Sequence, residues 1–82
     1  MKTFTTYIIY SKTIDKFYTG STSMDVVERL YRHNCNHNGF TGKANDWNVV
    51  YKSAFRTIEE SRKLESQIKK RGAKRYINDL EA

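Results

Sequence analysis

The sequence predicts a small mixed α/β domain in the order β-β-α-β-α-α, with a three-stranded, largely antiparallel sheet flanked by helices. Three features point there. Two segments near the start are rich in β-branched and aromatic residues and lie close enough together to form a hairpin, while two later segments open on capping signatures and continue with helical periodicity. A chain of 82 residues without proline, repeat or Ser/Gly-rich linker also has material for only one core, so residues 1–82 are expected to form one domain.

Thr3 to Ser11 reads as the first strand and Lys16 to Gly20 as the second. The polar stretch between them implies an antiparallel hairpin. With the turn near Lys12 and Thr13, residues whose numbers sum to 25 stand opposite one another, which pairs Tyr7 with Tyr18 across the strands. Thr22-Ser23-Met24-Asp25 then looks like a helix start capped by Thr22, and the helix runs to about Asn34 with an apolar stripe of Val26, Val27, Leu30 and Tyr31. A polar loop follows through Asp46, and Trp47 to Phe55 forms the third strand. Thr57-Ile58-Glu59-Glu60 is a second capping signature, opening a helix that continues to about Arg71 and stops at Gly72. A last helix over Lys74 to Leu80 presents Tyr76 or Ile77 together with Leu80.

Lys and Arg number 15 against 9 Asp and Glu, a formal charge of +6 that attracts polyanions. Nucleic acid is the natural partner, although surface solvation alone accounts for many basic proteins. The lone Cys35 excludes an internal disulfide and a four-thiolate zinc site. The apolar run Tyr7 to Tyr10 is far too short for a secretory or membrane segment, so a reducing, cytoplasmic setting is expected.

Several residues stand out against this background. Tyr7 and Tyr18 place two phenols on one face of the hairpin, either as an ordinary aromatic pair or as hydroxyls aimed at a reacting phosphate. Arg29 and His33, four apart, make a cationic edge on the first helix. On the second helix, at about 100° per residue, Ile58, Ser61, Leu64, Glu65 and Ile68 fall in one stripe, while Glu59 and Glu60 lie outside it. Glu65 is thus a carboxylate on an inward face, where it needs a compensating cation: Arg, Lys or a metal. His33, Cys35 and His37 do not suit zinc, because a helix cannot aim three alternate residues at one point. Lys69, Lys70, Arg71, Lys74 and Arg75 form a basic run suited to phosphate contact or simply to a solvated helix end.

Together these residues resemble the GIY-YIG nucleases over Thr5 to about Asn78, and most of all the small stand-alone bacterial members related to the UvrC incision nuclease. The first signature falls on Thr5-Thr6-Tyr7 and the second on Tyr18-Thr19-Gly20, with the family's arginine on Arg29, a Tyr-or-His position on His33 and the metal-binding glutamate on Glu65. The signature glycine and isoleucine are replaced by Thr5 and Thr6, and the second isoleucine by Thr19. A lysine that often follows the second signature is Ser21 here, and the asparagine near the domain end finds only Asn78, one place off register.

The resemblance implies a metal-dependent endonuclease acting on DNA, with structured RNA not excluded. Mg²⁺ or Mn²⁺ would sit on Glu65, Arg29 would neutralise the phosphate, Tyr7 would orient water or phosphate, and Tyr18 or His33 would take the proton. The expected nucleic-acid contacts are Gly20 and Lys43 together with Lys69, Lys70, Arg71, Lys74 and Arg75. Two rivals remain open: a binding module that has lost catalysis, and a structural protein in which Glu65 and Arg29 form an internal ion pair. A partner protein supplying specificity is compatible with so small a chain, and neither substrate structure nor oligomeric state follows from the sequence.

Overall fold

A computed structural model describes residues 3–23, 25–35 and 40–81. The sheet is built from β1 (Phe4–Ser11), β2 (Lys16–Thr22) and β3 (Asn48–Phe55) in the order β2-β1-β3, antiparallel throughout. The helices are α1 (Val26–Asn34), α2 (Ile58–Arg71) and α3 (Ala73–Glu81), with a single 3₁₀ turn at Phe40–Lys43. The expected class and element order therefore hold. No helix among the described residues is long and apolar enough to cross a membrane.

The hairpin register differs from the expected one. Tyr7 pairs with Gly20 and Ile9 with Tyr18, a sum of 27, because residues 12–15 all belong to the turn. Asp15 closes it at φ 51°, a left-handed conformation that Asp tolerates, and its carboxylate accepts a bond from Tyr10 Oη at 2.6 Å. A shift of two preserves parity, so Tyr7 and Tyr18 still share a face, but as diagonal neighbours rather than opposite ones.

The first helix also starts later than expected. β2 runs on to Thr22, paired with Thr5, so Thr22 is a strand residue and Asp25 caps α1 by accepting from Val27 N–H at 2.9 Å. The inward stripe changes as well. Val27 and Tyr31 are 70% and 71% exposed, whereas Val26 and His33 are buried and Arg29 and Leu30 half-buried. Positions 26, 29, 30 and 33 follow the i, i+3, i+4, i+7 rule, so the polar pair occupies part of the inner face in place of two hydrophobic residues. The second helix follows expectation more closely: Thr57 caps it, Ser61 and Ile68 are fully buried, Glu65 is half-buried, and Gly72 ends it at φ 96°. Ile58, at the start of that stripe, is 37% exposed. In α3, Tyr76 and Ile77 are half-buried but Leu80 faces out, because α3 covers only the margin of the sheet.

Strand alternation divides the core into two layers. On one side Tyr7, Ile9 and Val49 pack with Val26 and Trp47, and Leu30 and Tyr18 lie against them. On the other side Thr6 Oγ1 donates to the Ser61 carbonyl of α2 at 2.6 Å. A bulge in β3 lets one strand serve both layers. Ile8 pairs with Tyr51 and Ile9 with Val49, leaving Val50 over, so Val49 faces α1 and Tyr51 faces α3, where its hydroxyl lies 3.4 Å from that of Tyr76. Trp47, 1% exposed, is clasped by Asn34, which accepts from its N–H at 2.7 Å and donates to its C=O at 3.2 Å. The end of α1 is thereby tied to the start of β3.

Asp46 performs a similar service for the hairpin. Its carboxylate accepts from Ser11 Oγ, from Thr13 Oγ1 at 2.8 Å and from Thr13 N–H at 3.0 Å. The hydroxyl of Ser11, followed by those Thr13 donors, holds its pKa below the ordinary 3.8. A depressed folded-state value means stability that is present above 3.8 and lost as pH falls through the lower one. Asp46→Ala is expected to melt at a lower temperature than the parent at pH 7, with the gap narrowing below about pH 4. Thermal denaturation followed by Trp47 fluorescence across that range checks it; a gap independent of pH would contradict the carboxylate's role.

Candidate active site

β2 is one of the two edge strands, and the singled-out residues gather around it from both faces of the sheet. From the α1 side come Tyr7, Tyr18, Arg29 and His33. Tyr7 Oη lies 2.8 Å from His33 Nε2, and the His33 ring sits 5.1 Å from the Tyr18 ring and 5.8 Å from that of Tyr7. From the α2 side comes Glu65, accepting from Ser21 Oγ of β2 at 2.7 Å.

Gly20 explains how Tyr7 reaches this edge from the central strand. A Cβ at Gly20 would lie 2.7 Å from Tyr7 Oη and 2.9 Å from the neighbouring ring carbon, so the phenol lies directly across the glycine. Gly20, expected to touch nucleic acid, is thus required first for packing. Burial pushes the Tyr7 phenol above its ordinary value, and Arg29 draws it only part of the way back. Tyr7 therefore keeps its proton at neutral pH.

Arg29 enters a cleft of about 300 Å³ that Ser21, Ser23, Ser61 and Arg62 also line. Its Nε is buried and has no hydrogen-bond partner among the described residues. An unsatisfied guanidinium donor in a cleft lined by a second arginine is a place for an oxyanion. Arg29 makes no ion pair with Glu65. The cation beside Glu65 is Lys69, one helical turn on, with Nζ at 2.8 Å from Oε2. Partial burial works against the Glu65 charge, but the bonds from Lys69 and Ser21 outweigh it and hold the carboxyl below its ordinary 4.5. Glu65 is ionised at neutral pH.

Among the described residues no group of three His, Cys, Asp or Glu side chains could hold a metal. Cys35 is exposed and free, His33 Nε2 is bonded to Tyr7, and His37 lies outside the described residues. A zinc cage is therefore not formed by what is described. Glu65 fits the other type of site, a hard cation with one carboxylate whose remaining positions are filled by water and phosphate oxygens.

The basic run is only partly assembled around this site. Lys69 reaches Glu65, whereas Arg71 is taken up by Asp79 of α3, through Nε at 2.9 Å and a second nitrogen at 2.8 Å. Lys70, Lys74 and Arg75 are exposed. Lys43 lines a separate cleft with Thr13, Asn34 and Asn45, which shares no residue with the Arg29 cleft. Two site residues went unnoticed in the sequence. Ser21 reads as a lost charge but holds Glu65, and Arg62 was legible from its position, three before Glu65 on the same helical face.

Two phenols on one face, an arginine whose buried Nε lacks a partner among the described residues, and an ionised glutamate thus gather around β2. The model of the GIY-YIG catalytic domain matches residues 3–78, and the chain belongs to that family, whose members are generally endonucleases acting on nucleic acids. A search of curated proteins and one of solved structures each found no significant match.

The packing of Tyr7 over Gly20 yields a direct test. Gly20→Ala forces the ring aside and is expected to cost about 1–3 kcal/mol of stability, the usual penalty for overpacking. Urea unfolding measures it. A variant as stable as the parent, with the Tyr7 to His33 hydrogen bond intact by NMR, would refute this account of the glycine.

Proposed function

We propose that this domain is a divalent-metal-dependent endonuclease that hydrolyses phosphodiester bonds in DNA, related to the UvrC incision nuclease and acting in repair or recombination. The observation that carries this reading is the buried, unpaired Arg29 Nε beside the Ser21 to Glu65 bond. It leaves a cationic donor without an acceptor in a cleft lined by Ser21, the residue that holds the ionised Glu65. A scissile phosphate satisfies the donor, and Mg²⁺ or Mn²⁺ on Glu65 would supply Lewis-acid neutralisation of its charge and a more acidic water.

The remaining tasks fall to the chain's own side chains. Arg29 and Arg62 bind non-bridging oxygens and stabilise the charge that grows on them as water adds to phosphorus. Tyr7, kept protonated by burial, donates to the phosphate or orients the water. Tyr18 hands its phenolic proton to His33, packed against its ring, as it takes one from the attacking water, and His33 returns its proton through solvent to the leaving oxygen. The phosphorus–oxygen bond opposite the water then breaks. Exposed Lys70, Lys74 and Arg75 hold the flanking backbone, giving salt-sensitive affinity. A reducing cytoplasmic setting suits the exposed, free Cys35.

The rival reading as a structural ion pair loses its main support, because Arg29 and Glu65 do not pair. The reading as a catalytically silent binding module predicts DNA binding without cutting in either metal. A plasmid-nicking assay separates them. The parent is expected to nick in Mg²⁺ or Mn²⁺ and to stop in EDTA, while Glu65→Gln and Arg29→Ala each lose about 10²–10³-fold in rate. Cutting that survives EDTA or either substitution would refute the mechanism. DNA binding without any cutting would leave the binding module.

A further inference from the structure

A second groove, of about 500 Å³, runs between β2 and the α2–α3 junction. Phe17 and Thr19 form its strand wall, Gly72 and Ala73 its helical wall, and Lys69 and Lys74 line it as cations. It adjoins the site already described. Tyr18 also lines it and packs on His33, and Lys69 is the partner of Glu65.

The walls are set in advance. The Phe17 ring packs against Tyr10 at a tilt of 45° with centroids 4.7 Å apart, and Tyr10 is itself held by its bond to Asp15. Opposite, Gly72 adopts φ 96°, and nothing lies within 4 Å of where its Cβ would be, so the helical wall stays low and open. A fixed aromatic edge, small residues facing it and two ammonium groups are complementary to a nucleobase and its phosphate. A base stacked inside a duplex cannot enter such a groove; an unpaired one can.

We propose that this groove receives an unpaired base of single-stranded DNA next to the phosphate held at Arg29, so that the domain selects junctions between paired and unpaired DNA. The proposal rests on the nuclease reading of the neighbouring site. The stacking surface is Phe17, Lys74 contacts the phosphate of the unpaired nucleotide, and Lys69 stands between groove and Glu65.

Binding can be measured apart from cutting, by fluorescence anisotropy in EDTA with a short single strand, a blunt duplex and a duplex carrying a single-stranded overhang. The parent is expected to bind the overhang substrate more tightly than the blunt duplex. Phe17→Ala and Ala73→Leu, which respectively remove the stacking ring and fill the groove from the opposite wall, should each weaken the overhang complex about tenfold and leave the blunt complex unchanged. A 2-aminopurine at the first unpaired position should be quenched by the parent and not by either variant. Thermal unfolding checks that the variants are folded, and Ala73→Leu keeps the Phe17 to Tyr10 contact if Phe17→Ala does not fold. Equal affinity for overhang and blunt duplex, or variants that lose both or neither, would overturn the groove. Overhang selectivity without cutting in Mg²⁺ would instead refute the nuclease and leave the groove. Cutting that is indifferent to Phe17 and Ala73 would do the reverse.

Discussion

The site depends on the phenol of Tyr7 lying across Gly20. Tyr7 belongs to the central strand, where a tyrosine would ordinarily end in the core, yet the missing side chain at position 20 lets its hydroxyl reach the sheet edge. The ring stays 2% exposed while its oxygen meets His33 Nε2. Burial then sets the chemistry, because a desolvated phenol holds its proton and keeps a hydrogen to donate. Packing and protonation state follow from one contact between two backbone-paired residues.

The same edge accounts for the helix geometry. For His33 and Arg29 to meet Tyr7, α1 must turn their stripe inward, and a nine-residue helix has too few inner positions to bury Val27 and Tyr31 as well. Exposing two apolar side chains forgoes about 1.5–3 kcal/mol for a fully buried residue such as Val27. That loss sits where the proposed chemistry is, in line with the general observation that local rules are broken at functional sites.

Much of this was legible from sequence, and the failures have specific causes. Element order, the Thr57 cap, the Gly72 stop and the inward side of Glu65 all rest on local signals, which survive because little in the tertiary structure opposes them. The hairpin register differs because the turn centres between Thr13 and Ile14 rather than between Lys12 and Thr13, and a left-handed Asp15 that closes it carries no signal in composition. The face of α1 was missed because hydrophobicity alone sets the expected stripe, and here two polar residues take inner positions. The bulge at Val50 leaves no trace in an alternating strand, since what it changes is which layer Val49 enters. Lys69 was read as a phosphate contact within a basic run, yet its spacing of four from Glu65 already implied the pair.

That pair bears on whether Glu65 is available to a metal. Lys69 and Glu65 are joined across one helical turn with the lysine side chain 56% exposed, and such pairs are worth about 0.3–0.5 kcal/mol. The Ser21 bond reaches the other carboxylate oxygen, so the two protein donors are divided between Oε1 and Oε2. Displacing the ammonium therefore frees one oxygen at little cost while Ser21 keeps the carboxylate oriented. A lysine that leaves readily and swings into solvent remains beside the adjoining groove, where a phosphate replaces the carboxylate as its partner. On this argument the ion pair is a resting arrangement of the charges and not an obstacle to the proposed chemistry. The lysine compensates Glu65, and under the proposed function a metal and a phosphate together would separate the pair.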